Sequence, residues 1–146
     1  QCDSMDCVLC KVARGEIPSR KIYEDEYCIG ILDLAPCAPG HCLVVPKGHV
    51  EKFYDLPDAE ITRLFAAAKK VALMIKNAYS PDHVCMFIRG GRLPHLHVAL
   101  FPSTEGDGVS GFPQSNYPKQ TVDLEESAKR LHRGGSEEDF PRGTLR

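Results

Sequence analysis

No stretch of this 146-residue chain approaches the ~20 consecutive apolar residues that a helix needs to cross a bilayer. The opening Gln1-Cys2-Asp3-Ser4-Met5 lacks the basic-then-apolar pattern of a signal peptide. No membrane association is therefore expected. Excess basic charge is missing too: 18 Lys+Arg stand against 20 Asp+Glu, for a net charge of −2. A protein that grips nucleic acid electrostatically leaves a basic footprint, so no sequence-specific nucleic-acid binding is expected. A small anionic ligand stays open, because it needs only local donors. No internal repeat is present. What remains is a chain long enough for one domain with its own core.

Cysteine, by contrast, is plentiful, with seven residues. In a secreted protein that number would suggest a disulfide framework. Cys28, Cys42 and Cys85, however, lie inside apolar strand-like runs, where a free thiol packs as a small hydrophobe. The expected setting is intracellular, reducing and cytoplasmic. Cys7-Val8-Leu9-Cys10 stands apart as a C-x-x-C, which puts two thiolates within reach of one ion. It lacks the closely spaced His pair of a nucleic-acid finger, so any further ligands come from afar. A redox pair or two packed thiols is the plainer alternative, although no thioredoxin-like βαβ pattern surrounds Cys7.

The order of elements follows from periodicity. Asp6 can cap a short helix running to Arg14 and closed by Gly15. Residues 21–25 and 27–33 read as two strands, and Cys42 to Val45 as a third, ended by Pro46. A helix starts near Leu56-Pro57-Asp58; Ile61, Leu64, Phe65, Ala68, Val71, Ala72 and Ile75 then recur at helical spacing to about Ala78. Fourth and fifth strands are expected over 83–88 and 93–101. Residues 103–120 read as a long loop, 123–133 as a short amphipathic helix and 134–146 as a flexible tail. The fold class is α+β: a five-stranded antiparallel sheet with one long helix and short N- and C-terminal helices. One domain spans 5–133, with its core at 5–102.

The segment Pro94-His95-Leu96-His97-Val98-Ala99-Leu100-Phe101-Pro102 carries the chemistry. Strand alternation puts His95, His97 and Ala99 on one face and Leu96, Val98 and Leu100 on the other. An apolar face fixes the segment against a core, while the opposite face presents two imidazoles. Imidazole is a nucleophile, proton carrier and metal ligand near neutral pH. Ala38 to Val50 adds an apolar strand flanked by His41 and His49, and Gly15-Glu16-Ile17-Pro18-Ser19 precedes the strand-like Lys21-Ile22-Tyr23.

In order and spacing, these motifs resemble the histidine triad (HIT) family of nucleotide hydrolases and transferases, from about Met5 to Pro102 and more loosely beyond. One element departs: the family pattern is His-φ-His-φ-His-φ-φ (φ apolar), and Ala99 stands where the third His belongs. The resemblance implies an antiparallel sheet that commonly dimerises around the long helix and fourth strand. It implies a structural zinc held by Cys7, Cys10, His49 and His95, with no open coordination position. His97 matches the nucleophile, its Nδ1 proton held by the backbone carbonyl two positions on, that of Ala99. Asp33 matches the acidic residue that holds ribose hydroxyls, and His41 a histidine bordering the phosphate site. Leu32, with Val8, Leu9, Val12 and Leu34, matches an apolar slot for the base. The family's Asn and Gly-Gln-x-Val before the triad are missing. Arg89 and Arg92 stand there as phosphate clamps or as solvated turn residues. Ser103 stands where many relatives have Arg.

The expected function is a nucleotidyl hydrolase or transferase acting on purine nucleoside phosphoramidates or dinucleoside polyphosphates, through a nucleotidyl-histidine on His97. Losing one transition-state donor costs roughly 10²–10³ in rate, so Ala99 implies reduced turnover. A zinc-stabilised nucleotide- or partner-binding domain with little catalysis is the alternative. A third reading is a metal-dependent enzyme that uses His95-x-His97 as ligands at an open site.

Overall fold

The computed structural model describes residues 6–91, 93–107 and 121–135. Gln1 to Met5, Arg92, most of the expected long loop and the tail from 136 lie outside the described residues. The elements run α1 (Val8–Ala13), β1 (Lys21–Glu24), β2 (Cys28–Leu32), β3 (Cys42–Pro46), a 3₁₀ turn (Phe53–Asp55), α2 (Asp58–Tyr79), β4 (His83–Ile88), β5 (Val98–Ser103) and α3 (Leu124–Gly134). The five strands form one antiparallel sheet in the order β1-β2-β3-β5-β4. This is the α+β arrangement that the sequence predicts. None of the described helices is long and apolar enough to cross a membrane.

Both faces of the sheet are covered at β2, whose residues are all buried. Cys28 and Leu32 join the main core with Val44, Val98 and Leu100, against Leu64, Ala68, Val71 and Ile75 of α2. These α2 residues recur every three or four positions, so they form one apolar stripe. Each buried large aliphatic there contributes about 1.5–3 kcal/mol relative to exposure. Ile29, Ile31 and Val45 point the other way and pack with Leu9, Cys10 and Val12 of α1. The chemistry-bearing segment feeds into β5 on that second face.

Four local details differ from the sequence expectation. β5 begins at Val98, because its pairing with β3 and β4 ends at Val44↔Val98 and Ile88↔Val98. The preceding segment hydrogen-bonds elsewhere: the Leu96 N–H donates to the Val50 carbonyl at 2.6 Å. The cap of α1 is Cys7, not Asp6; its Sγ accepts the Cys10 N–H at 3.3 Å. A 3₁₀ turn precedes α2, too short to leave a periodic signal. Finally, α3 continues to Gly134, the first residue of the expected tail. Gly134 is buried against α2, where a Cβ would meet the Met74 carbonyl oxygen at 2.5 Å.

Candidate active site and metal cluster

Cys7 and Cys10 sit one helical turn apart at the start of α1, which directs both sulfurs to one side. His49 follows β3 and His95 precedes β5, so adjacent strands deliver the two imidazoles. One ligand atom from each of Cys7, Cys10, His49 and His95 lies within 4.8 Å of every other, an arrangement that could hold a metal ion. His95 Nδ1 is 3.3 Å from both Cys7 Sγ and Cys10 Sγ, and His49 Nδ1 is 3.3 Å from Cys10 Sγ. Ligand atoms around a tetrahedral zinc stand about 3.5 Å apart, given Zn–S and Zn–N lengths of about 2.3 and 2.0 Å. The donor chemistry and spacing fit such an ion. Cys10 is a half-cystine in the structure, and its sulfur must be reduced to serve as a thiolate.

His95 is 1% exposed. Its Nε2 donates to the Pro46 carbonyl at 2.8 Å. A carbonyl can only accept, so Nε2 carries the proton and Nδ1 turns a lone pair toward the two sulfurs. Burial lowers the pKa of His95 from the ordinary imidazole value, opposed by the Pro46 contact.

His97 is half-buried and stands apart from the cluster. Its Nδ1 donates to the backbone carbonyl of His95 at 2.8 Å. The carbonyl expected to hold this proton was that of Ala99, two positions on; the structure uses the one two positions back. The reason is the late start of β5, which leaves the His95 carbonyl outside the ladder and free to accept. The chemical result is the expected one, with the lone pair on Nε2. With Nδ1 so engaged and His97 absent from the metal-capable group, nothing among the described residues supports an open metal site on His95-x-His97. The predicted sides hold: Leu96, Val98 and Leu100 join the α2-side core.

Ala99 lies across from Leu43 of β3 and Phe87 of β4. The position that would carry a third imidazole is therefore an apolar stretch of sheet. Asp33 and His41 bracket the β2–β3 loop. The Asp33 N–H donates to the His41 carbonyl at 3.0 Å, and His41 Nε2 lies 3.5 Å from Asp33 Oδ2. The His41 ring meets Phe101 edge-on, with centroids 5.6 Å apart. Phe101 alternates with Ala99 along β5, so Asp33, His41, His97 and Ala99 gather over one face.

Leu32 does not join them. It is 3% exposed and belongs to the core under α2, on the opposite face from Leu9 and Val12. Period-two alternation makes Ile31 the companion of Asp33, and Ile31 does pack with Leu9 and Val12. That alternation was the signal by which the sequence could have found it. Val8 and Leu34 are exposed, as is Arg89, while Ser103 pairs with His83 across the sheet edge. Cys37, within the loop, gave no motif; its half-buried thiol is pushed up to about 11 by burial.

Comparison with known proteins agrees with this geometry. Residues 14–106 match the HIT domain family. An uncharacterised HIT-like protein of Methanocaldococcus jannaschii is 35% identical over 130 residues, 86% of this chain and 98% of that protein. The adenosine 5′-monophosphoramidase of Saccharomyces cerevisiae is 34% identical over 128 residues, 87% of this chain and 78% of that protein. Among solved structures, a zinc-bound histidine triad family protein from Mycobacterium smegmatis superposes with a TM-score of 0.78. It is 30% identical, covering 92% of this chain and 96% of that one.

Proposed function

The chain belongs to the HIT domain family, and on that footing we propose that it is a nucleotidyl hydrolase or transferase that works through His97. Its substrates are purine nucleoside phosphoramidates or dinucleoside polyphosphates. The similar yeast protein is named for adenosine 5′-monophosphoramidase activity, which supports the substrate class. The observation that carries the reading is the 2.8 Å bond from His97 Nδ1 to the His95 carbonyl. It commits the proton to Nδ1 and leaves Nε2 as a nucleophile without any base to activate it.

In this reading Nε2 attacks the α-phosphorus of the bound conjugate. A P–Nε2 bond forms and the bond from phosphorus to the leaving nitrogen or oxygen breaks. The leaving group departs with the bond's electron pair and, if it is an amine, takes a proton from water. Water then attacks the phosphorus and gives a proton to solvent, the P–Nε2 bond breaks with its electron pair returning to Nε2, and a nucleoside monophosphate is released. Asp33 accepts from the ribose hydroxyls. Ile31, Leu9 and Val12 lie on the side where the base would rest. Ala99 supplies no donor to the departing group, so turnover is slow.

Zinc is the ion that best suits Cys7, Cys10, His49 and His95. Four protein ligands leave it no site for substrate, so its contribution is to hold α1 beside the β5 segment. A homodimer is also part of this reading. β4 is a sheet edge, Met86 on it is 48% exposed, and Phe65 of α2 is exposed as well. The sedimentation mass of the full chain decides it.

The test is intact-mass measurement after incubation with adenosine 5′-phosphoramidate. A nucleotidyl adduct is expected on wild-type protein and none on His97→Ala. Ala99→His places an imidazole about 6.5–7 Å along the strand from residue 97, within reach of the same phosphate. It should raise kcat more than it changes KM. The second reading, a nucleotide-binding domain with little catalysis, is favoured by the apolar Leu43–Ala99–Phe87 row. It takes precedence if nucleotide binds, no adduct forms and Ala99→His leaves turnover unchanged.

A further inference from the structure

Among the described residues, one buried side-chain nitrogen lacks a hydrogen-bond partner: Nε2 of His41. The residue is 8% exposed. Its other ring nitrogen, Nδ1, accepts the Cys37 backbone N–H at 3.1 Å. A backbone N–H can only donate, so in the neutral ring the proton resides on Nε2. That donor faces Asp33 Oδ2 across 3.5 Å, slightly longer than a formed hydrogen bond. The other carboxylate oxygen, Oδ1, accepts the Ala35 N–H at 2.8 Å. Backbone bonds hold the two residues in register: Asp33 N–H to the His41 carbonyl at 3.0 Å, and His41 N–H to the Ala38 carbonyl at 3.2 Å. The Phe101 ring packs against the imidazole and limits its swing.

We propose that His41 is a positioning residue for Asp33, its Nε2–H holding Oδ2 so that the carboxylate meets the vicinal diol of a bound ribonucleotide. The proposal rests on the reading of Asp33 as the ribose acceptor. It replaces the phosphate-bordering role expected for His41, because neither ring nitrogen is left for a phosphate. Nδ1 is occupied by Cys37, and Nε2 faces a carboxylate, which would repel a phosphate placed beside it. A carboxylate held by the Ala35 N–H at Oδ1 and drawn by the His41 Nε2–H at Oδ2 enters the complex near one orientation, so less freedom is lost when the diol binds. A shift of a few tenths of an ångström in Asp33 would bring Oδ2 within hydrogen-bond distance and satisfy the orphaned donor.

The experiment compares binding of AMP and 2′,3′-dideoxyadenosine monophosphate by calorimetry; the affinity ratio isolates the diol contribution. Asp33→Ala should lower the ratio roughly tenfold or more. In His41→Asn the side-chain amide stands near Nδ1, so it keeps an acceptor for Cys37 and loses the donor toward Asp33. It should lower the ratio roughly three- to tenfold, with little effect on the dideoxy ligand. In His41→Gln the amide reaches as far as Nε2, so the donor survives and the ratio should stay near wild type. Equal losses for both ligands in His41→Asn, or an unchanged ratio, would overturn the positioning role. An unchanged ratio in Asp33→Ala would instead overturn the ribose reading on which it stands. Nitrogen NMR of wild-type protein serves if the variants do not fold. The Nε2–H tautomer of His41 is expected, with its proton signal moving on AMP and not on the dideoxy ligand; the Nδ1–H tautomer would sink the proposal.

Discussion

His41 is a single side chain whose protonation is tied to the shape of a loop. Burial pulls its pKa below the ordinary value of 6.5, and the nearby Asp33 charge opposes that without reversing it. The groups facing the ring are the Asp33 carboxylate at the end of β2, the Cys37 N–H from the loop and the Phe101 ring from β5. Protonating Nδ1 would set one N–H against another at 3.1 Å. The linkage has a definite sign. With the folded pKa below the unfolded one, the unfolded chain binds more protons in the window between them, so stability rises with pH there. It is lost as pH falls below about 6.5 toward the lowered folded value. Denaturant midpoints measured from pH 7.5 to 5 should fall more steeply for wild type than for His41→Gln, which has no imidazole to titrate. Parallel curves would mean that the loop tolerates the charged ring. At this scale the sequence was readable in part. The types and spacing of Cys7, Cys10, His49, His95 and His97 were plain from the chain. That the proton of His97 rests on the His95 carbonyl was not, because it depends on where the β5 ladder begins, a matter of three-dimensional pairing.

Elements meet at Gly40, in the loop between β2 and β3. Its φ is +86°, and a Cβ there would fall 2.5 Å from Cε2 of Tyr79, the last residue of α2. Tyr79 has little room to yield, since the Arg130 guanidinium of α3 stacks over its ring at 4.5 Å. Arg130 is itself anchored, its Nε donating to the Ala78 carbonyl at 2.7 Å. Gly40→Ala should therefore cost about 2 kcal/mol of unfolding free energy, from backbone strain and displacement of the Tyr79 ring. Chemical denaturation measures it, and a loss well under 1 kcal/mol would show that the ring moves freely. The long stripe of α2 and the alternation of β2 and β3 were legible because burial on one face imposes a period. The closing of the loop by a residue 39 positions away was not, since long-range contacts leave no periodic trace. Leu32 illustrates the same limit: position in the motif suggested the base slot, while the pleat sends its side chain beneath α2.

Across the whole molecule, α1 is a short helix whose buried residues pack in the small second core with Ile29, Ile31 and Val45, while Cys10 also reaches His49 and His95. Six residues of helix are far below the length that is stable alone in water, so α1 depends on its packing against the sheet and, under the proposed zinc assignment, on the cluster at its N-terminus. One zinc per reduced chain is expected. Chelation should lower the thermal midpoint, because an ion bound only by the folded state adds its binding free energy to stability. Metal analysis and a thermal melt check it. Zinc content unaffected by Cys7→Ser with Cys10→Ser, or an unmoved midpoint on metal removal, would reject the assignment. His95 then gives this fold an unusual economy. Its side chain faces the sulfurs while its carbonyl, in the same residue, fixes the tautomer of His97. Under the proposed function, a change that shifts His95, such as Cys7→Ser with Cys10→Ser, is expected to loosen the carbonyl that holds the His97 proton. On the proposed chemistry a chelator is therefore expected to slow turnover, although four protein ligands leave the ion no position for substrate.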